Sequence, residues 1–372
     1  MNITVVGGGN VGTLIAGQLT LKGNKVTIYT RDVSKWSNEI TILDKDVEKE
    51  YVYTPFKITD NICEAVFNAD IIFITLPAFA IKNFIMRAEK NIKDGAWIGF
   101  YPGTGGNEII CENLLNRKCV IFGLQRICSV VRLKEYGKYV VTSGKRKTMY
   151  IGVIPKSYGE EVRKMFSDFF DIETILLPNY LNVTLTSSNP ILHPSRLYDI
   201  FKDYDNIKIY DQVPLFYEEW TNDASKMLIN CDLELHSVLN RISLDTSNIK
   251  PLLEHYESTN YIELTNKIRS IVGFKGLTTP CKKINGGFMP DLSSRYFTAD
   301  IPYGLIIIKA FAVIYSVDTP TIDIIIDWYQ KITNKNYIDL SKNIFGEDSI
   351  DLNLPQLYGI DSDAKVKEFY GK

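Results

Sequence analysis

Two groups of residues have types and spacings suited to chemistry. The first is "VVGGGNVG", where Gly7, Gly9 and Gly12 stand in G-x-G-x-x-G register, directly after a predicted strand and before a predicted helix. Gly7 allows a tight turn, Gly9 lets the backbone approach a pyrophosphate, and Gly12 lets helix and strand pack closely. This setting predicts a dinucleotide site formed by Gly7, Gly9, Asn10, Val11 and Gly12; the other reading is a glycine-rich turn with no ligand. The next predicted strand ends in "VTIYTRD", with Thr30 at the tip where an acid would hold the adenosine ribose and Arg31 after it. A guanidinium there suits a 2′-phosphate, so NADP, as NADPH, is favoured over NAD. Asp32 keeps NAD open, as does the reading of Arg31 as a solvated surface charge. Two later turns, "TLPAFA" and "YPGTGG", also follow predicted strands, and are expected to line the cofactor cleft through Leu76, Pro77 and Gly103 unless they are ordinary connections.

The second group centres on His193, one of only three histidines, set between Pro190 and Pro194 in "SSNPILHPSRLYDIF". Proline fixes its own φ and pushes its predecessor toward extended conformations, which predicts a constrained segment here and not the middle of a helix. Histidine, with an ordinary pKa of about 6.5, is suited to exchanging protons with a carbonyl or imine that takes a hydride. A structural, hydrogen-bonded histidine is the competing reading; His236 and His255 lie in helical patterns. Further on, "SSRYFTADIPYGL" offers Arg295 and Asp300, a guanidinium to grip a substrate carboxylate and a carboxylate to orient an imidazole. Asp291, Arg196 and Arg132 are alternatives, and Asp300 is also placed to cap a helix beginning near Pro302.

These residues need elements to position them. From Ile3 to about Leu181, β-branched runs alternate with amphipathic stretches, which predicts βαβ units and a parallel sheet covered on both faces. A hairpin is expected in "KYVVTSGKRKTMYIGVI", turning at Ser143 to Lys147. Phe216, Trp220, Ala224, Met227, Cys231, Leu235 and Val238 recur at helical spacing and predict one long helix. More helices are expected in "NYIELTNKIRSIVG", from Pro302 to Ser316, and in "TPTIDIIIDWYQKI" with Thr319 as N-cap. Gly273 to Gly304 reads as a long irregular loop, a feature that is usually functional or disordered; its aromatics and mixed charges argue against disorder. The expected plan is a Rossmann dinucleotide-binding domain over residues 1–182 and an all-helical substrate and catalytic domain over 183–372.

Composition narrows the class. A formal net charge of -2 provides no basic field for nucleic acid, so no nucleic-acid partner is expected. The six cysteines are scattered without a C-x-x-C pair, which resembles neither a disulfide framework nor a zinc site and fits a reducing cytoplasm. The N-terminus reads as a strand and not a signal peptide, and the apolar run "GLIIIKAFAVIYSV", interrupted by Lys309, reads as a core helix, so no membrane partner is expected. A homodimer is compatible with this plan.

Together, the glycine motif, "NPILHPSRLYDIF", "PLFYEEWTNDASKML" and "SSRYFTADIPYGL" resemble the opine dehydrogenase family of octopine/nopaline type. Within it the motifs look most like the staphylopine-type enzymes that make opine metallophores. The resemblance implies a Rossmann domain followed by an all-helical domain, and NAD(P)H-dependent reductive condensation of an α-keto acid, pyruvate by default, with the amino group of an amino acid or an amino-acid-derived metallophore precursor. It implies His193 as acid/base, Asp300 as its orienting partner, and Arg295 and Asn189 in substrate binding. "GLQRICSVVRLKEYGK" adds Gln125 and Arg126 to the expected substrate residues. One departure is Ala299, where members often carry Glu. The rival readings are a ketopantoate-reductase-like or hydroxyacid dehydrogenase, which would commonly use a lysine, and a non-catalytic dinucleotide sensor.

Overall fold

The computed structural model describes all 372 residues, Met1 to Lys372. It divides into two compact units, Met1–Thr184 together with Glu368–Lys372, and Leu185–Lys367. The expected second domain, 183–372, thus differs at its end. The last five residues belong with the first unit because Tyr370 is buried there, its hydroxyl donating to Glu108 at 2.6 Å, and because the Lys156 amide donates to the Lys372 carbonyl at 2.8 Å.

In the first unit, β1 (Asn2–Val6), β2 (Lys25–Tyr29), β5 (Lys57–Thr59), β6 (Ile71–Ile74), β7 (Trp97–Phe100), β8 (Val120–Leu124), β11 (Thr148–Ile154) and β12 (Glu173–Leu176) form one sheet, ordered β12-β11-β8-β7-β6-β1-β2-β5. The central strands β6 and β8 are buried throughout, as expected where helices cover both faces of a parallel sheet. One step is antiparallel, β8 with β11. A second sheet, β4-β3-β10-β9, is made of β3 (Ile40–Asp44), β4 (Lys49–Tyr53), β9 (Val130–Glu135) and β10 (Tyr139–Ser143).

The expected hairpin across Ser143 to Lys147 does not form. Strand β10 pairs with β9 and β3, whereas β11 enters the main sheet between β8 and β12. The Gly144 and Lys145 amides donate to the Asp46 carboxylate, so the turn residues are held by a partner distant in sequence instead of closing a local pair.

The second unit is mainly helical: Asn189–Phe201, Asn222–Leu239, Tyr261–Ser270, Ile306–Ile314 and Pro320–Thr333. The long helix starts at Asn222 and not at Phe216, because the Thr221 hydroxyl caps it by accepting from the Ala224 amide at 2.9 Å. Thr319 does not cap with its side chain. Its hydroxyl lies between Lys309 and Asp323, and the carboxylate of Glu234 instead accepts from the Thr321 and Ile322 amides. The expected irregular stretch contains a short hairpin, β13 (Cys281–Ile284) with β14 (Gly287–Pro290), and a helical turn at Arg295–Thr298. Residues Arg295–Ile314 are apolar and long enough by composition to cross a bilayer, yet 72% of the most apolar window is buried inside the protein, as expected of a core helix. Lys309 in that helix is buried and paired with Asp323 at 2.7 Å.

Candidate active site

His193 lies inside the Asn189–Phe201 helix, contrary to the extended segment expected from its flanking prolines. Pro190 falls in the first turn, where no amide donor is needed, and the Ile191 and Leu192 amides both donate to the Ser188 carbonyl. Pro194 lies within the helix; the Ser195 hydroxyl behind it donates to the Ile191 carbonyl at 2.8 Å. A rigid helix, not a stiff loop, therefore aims the imidazole.

The segment carrying Asp300 meets this helix at one close approach. A Cβ on Gly304 would clash with Pro190, so glycine there lets the Ile301–Leu305 turn lie against the start of the His193 helix. That turn is a π turn, with the Leu305 amide donating to the Asp300 carbonyl at 3.0 Å, a form often found at functional sites. Asp300 heads it without capping it through its side chain. Instead, Oδ2 lies 2.7 Å from Nδ1 of His193.

On the other side of the ring, Nε2 is 2.7 Å from the hydroxyl of Tyr217. A carboxylate only accepts, so Nδ1 carries the proton and the phenol donates to Nε2. Tyr296 stacks on one face of the imidazole, 4.1 Å between centroids, and Phe216 meets it edge-on at 5.7 Å. His193 is 1% exposed. The exposed Arg295 guanidinium lies 5.8 Å above the far part of this stack, over Tyr296. Asn189, first in the helix, is exposed.

The alternatives have other occupations. Arg196 is buried, donating to the Phe216 and Glu219 carbonyls and pairing with Asp199 at 2.7 Å. Asp291 is bound to Ser293 and Lys282, and Arg132 donates to the neighbouring Val131 carbonyl. Tyr217 and Tyr296 lie inside "PLFYEEWTNDASKML" and "SSRYFTADIPYGL", but an aromatic residue in such a motif carries no local signal that distinguishes a ring partner of the histidine from a core residue.

In the first unit, Gly7 has φ +113°, and its turn lies beside Thr75 and Leu76 where β1 and β6 end, at the point where strand order reverses. A Cβ on Gly12 would overlap the Gly7 carbonyl, whereas one on Gly9 would meet nothing within 4 Å. That open backbone at the start of the Asn10–Leu21 helix fits a pyrophosphate. Asn10 is not free to turn toward a cofactor, since its side-chain carbonyl accepts from the Leu133 amide at 2.8 Å, and Val11 packs against the core. Pro77 is exposed before the Ala78–Ala88 helix. Gly103 is buried, with Gly123 and Tyr180 occupying the space a Cβ would need, so its glycine serves close packing.

Thr30 is buried, its hydroxyl 2.7 Å from that of Tyr136, and Arg31 is exposed. Hydrogen bonds from Ser34 and Lys35 lower the pKa of Asp32 and tie its carboxylate to its own turn. Gln125 is buried, with its amide donating to the Asn182 carbonyl at 2.9 Å, and Arg126 is half-buried.

Residues 176–333 match the family described as NAD/NADP octopine/nopaline dehydrogenase, alpha-helical domain, and residues 3–156 match ketopantoate reductase PanE/ApbA. Tauropine dehydrogenase of Arabella iricolor is 28% identical, over 97% of this chain and 98% of that protein. Octopine dehydrogenase of Mizuhopecten yessoensis is 27% identical over 97% of each. Over residues 176–333 the chain matches the helical domain of the opine dehydrogenase family, and over nearly its whole length it is similar to dehydrogenases of that type. The chain is an NAD(P)-dependent oxidoreductase acting on CH–NH bonds. Solved structures of octopine dehydrogenase carry the same fold: the complex with NADH and agmatine has a TM-score of 0.86 at 24% identity, covering 100% of this chain and 98% of that one, and the complex with NADH and pyruvate 0.85 at 25%, covering 99% and 98%. Yersinopine dehydrogenase with NADP+ bound has a TM-score of 0.71 at 12% identity, covering 99% of each chain. The ketopantoate reductase family model stops at residue 156, before the helical unit that bears His193.

Proposed function

We propose that the chain condenses an α-keto acid with the amino group of an amino acid or amino-acid derivative and reduces the resulting imine to a secondary amine bearing two carboxylates. The supporting observation is the hydrogen-bonded arrangement of Asp300, His193 and Tyr217 beside an exposed guanidinium, Arg295. The bound reduced nicotinamide supplies the hydride. His193 takes a proton from the incoming ammonium and later gives one to the departing hydroxyl, so that water leaves. Asp300 holds the ring with Nε2 as the reacting nitrogen. Arg295 and Asn189 bind substrate, Arg295 through a carboxylate, which fixes the keto carbon in place. We also assign Gln125 and Arg126 to substrate binding.

For the keto acid we assign pyruvate, which octopine dehydrogenase binds in one of its solved complexes. For the cofactor we assign NADPH, supported by the absence of a carboxylate at Thr30, the engagement of Asp32 by Ser34 and Lys35, and the exposed Arg31. For the amine, the full-length relatives named for octopine and tauropine favour a single amino acid or a small amine over a metallophore precursor.

The test follows oxidation of NADPH and of NADH across a panel of α-keto acids, each with and without amino acids, taurine and nicotianamine-like polyamino acids. Oxidation that needs both a keto acid and an amine is expected, fastest with pyruvate and NADPH. Oxidation by a keto acid alone would replace this reading with a hydroxyacid dehydrogenase. Efficient use of only the polyamino acids would restore the metallophore assignment.

A further inference from the structure

Both nitrogens of His193 are occupied, Nδ1 by Asp300 and Nε2 by Tyr217, and the residue is 1% exposed. Asp300 is fixed as an acceptor by its geometry, so proton exchange with a reactant runs through the Nε2 side, where the Tyr217 hydroxyl already sits. Tyr217 is not placed to swing aside. Its ring stacks on Phe274 at 4.0 Å with planes 16° apart and lies parallel to Trp220 at 6.3 Å. It is 4% exposed. Burial, and after it the nearby Tyr296, raises its pKa far above that of an ordinary phenol, so the hydroxyl keeps its proton at working pH. A neutral hydroxyl both donates and accepts, which is what a relay between two other groups requires.

We propose that Tyr217 is a proton-relay residue, passing protons between Nε2 of His193 and the reacting nitrogen and oxygen of the substrates. This rests on the condensation assigned above. In the first transfer the ammonium N–H breaks and its proton joins the phenol oxygen, while the original phenol proton moves to Nε2. The amine is then free to attack, the imidazole is an imidazolium, and Tyr217 is again a phenol. In the second transfer the Nε2 proton returns to the phenol oxygen and the phenol proton goes to the carbinolamine hydroxyl, whose C–O bond breaks to release water. The other hydrogen of the water is an N–H proton that moves to the carbonyl oxygen when the amine adds and the C=O bond opens. The imidazole ends neutral, no electrons are exchanged with the protein, and the protonated imine, an iminium carrying the ammonium's original charge, is left for reduction.

The test compares Tyr217→Phe, which keeps the ring stack, with the wild type. Turnover is expected to fall about 10²-fold, with the keto-acid KM and the NADPH Kd within about threefold of wild type. In mixtures of light and heavy water, the rate of the wild type should curve with deuterium fraction, as two protons move together, and that of the variant should be linear. Wild-type turnover in Tyr217→Phe, or a lowered keto-acid KM with turnover kept, would overturn the proposal, since the phenol would then only occupy a place the substrate takes. A linear dependence in the wild type would overturn it even if the variant failed to fold. His193→Ala separates the two levels: full activity in that variant removes the condensation mechanism itself, whatever Tyr217 does.

Discussion

The ring of Tyr296 stacks on the imidazole of His193 with centroids 4.1 Å apart and planes 25° from parallel. The stack excludes water from one face of the imidazole and, with Asp300 and Tyr217 holding the two nitrogens, leaves the ring a single orientation. A histidine fixed in this way is prepared for one direction of proton transfer, and its environment leads to specific expectations.

His193→Ala should lower turnover by about 10²- to 10⁴-fold while leaving NADPH affinity unchanged, because the glycine turn and the histidine lie in different units. Asp300→Ala removes the acceptor at Nδ1 and should lower turnover by about 10²-fold or more, since the ring can then adopt the other tautomer. Steady-state kinetics with a fluorescence titration of NADPH checks both. A variant that lost cofactor binding along with turnover would point to a folding defect and not to chemistry.

Gly9 and Gly12 should respond differently to alanine. A Cβ at Gly12 overlaps the backbone oxygen of Gly7, so Gly12→Ala should lower both the melting temperature and cofactor affinity. Gly9 has φ -82° and open space around it, so Gly9→Ala should keep the wild-type melting temperature and raise the dinucleotide Kd about tenfold or more by obstructing the phosphate. Unchanged affinity in Gly9→Ala would remove the pyrophosphate from this turn.

Glu108 is fully buried, its Oε1 accepting from the hydroxyls of Thr184 and Tyr370, each at 2.6 Å, while Oε2 has no partner. Burial raises its pKa from 4.5 to about 7. The folded state therefore binds this proton more tightly than the unfolded state, and the stability it contributes is present below pH 4.5 and lost as pH rises through about 7. Glu108→Gln mimics the protonated acid and should melt increasingly above the wild type over that range. Asp232, raised by burial to about 6, should leave a residual slope in the variant. Melting curves that stay parallel across the range would exclude Glu108 as the titrating group.

Lys309 and Asp323 should not be equally costly to replace. The Lys309 side chain is 3% exposed and that of Asp323 26%, so Asp323→Ala strands a buried ammonium and should cost about 3 kcal/mol in chemical denaturation. Lys309→Met leaves a partly solvated carboxylate and should cost less. The reverse order would show that the pair is not held by desolvation.

The sequence by itself determined the alternation that builds a mostly parallel sheet, the glycine register that opens it, the helical second half, and His193, Asp300 and Arg295 as the residues to examine. These were legible because each depends on local constraints: strand and helix periodicity, the conformational freedom of Gly7, and the small number of side chains able to do the chemistry. What depends on partners distant in sequence was decided only by tertiary structure. Pro190 and Pro194 suggested an extended segment, but the first takes a helix position that needs no donor and the helix continues past the second. Strands β10 and β11 suggested a hairpin, but each found better partners in a different sheet. Tyr217 and Tyr296 became ring partners of His193 only once Gly304 let the Asp300 turn approach Pro190 and the turn before the long helix brought a phenol to Nε2. A periodic pattern reports which face of an element is buried; it does not report which side chain from another element will meet it there.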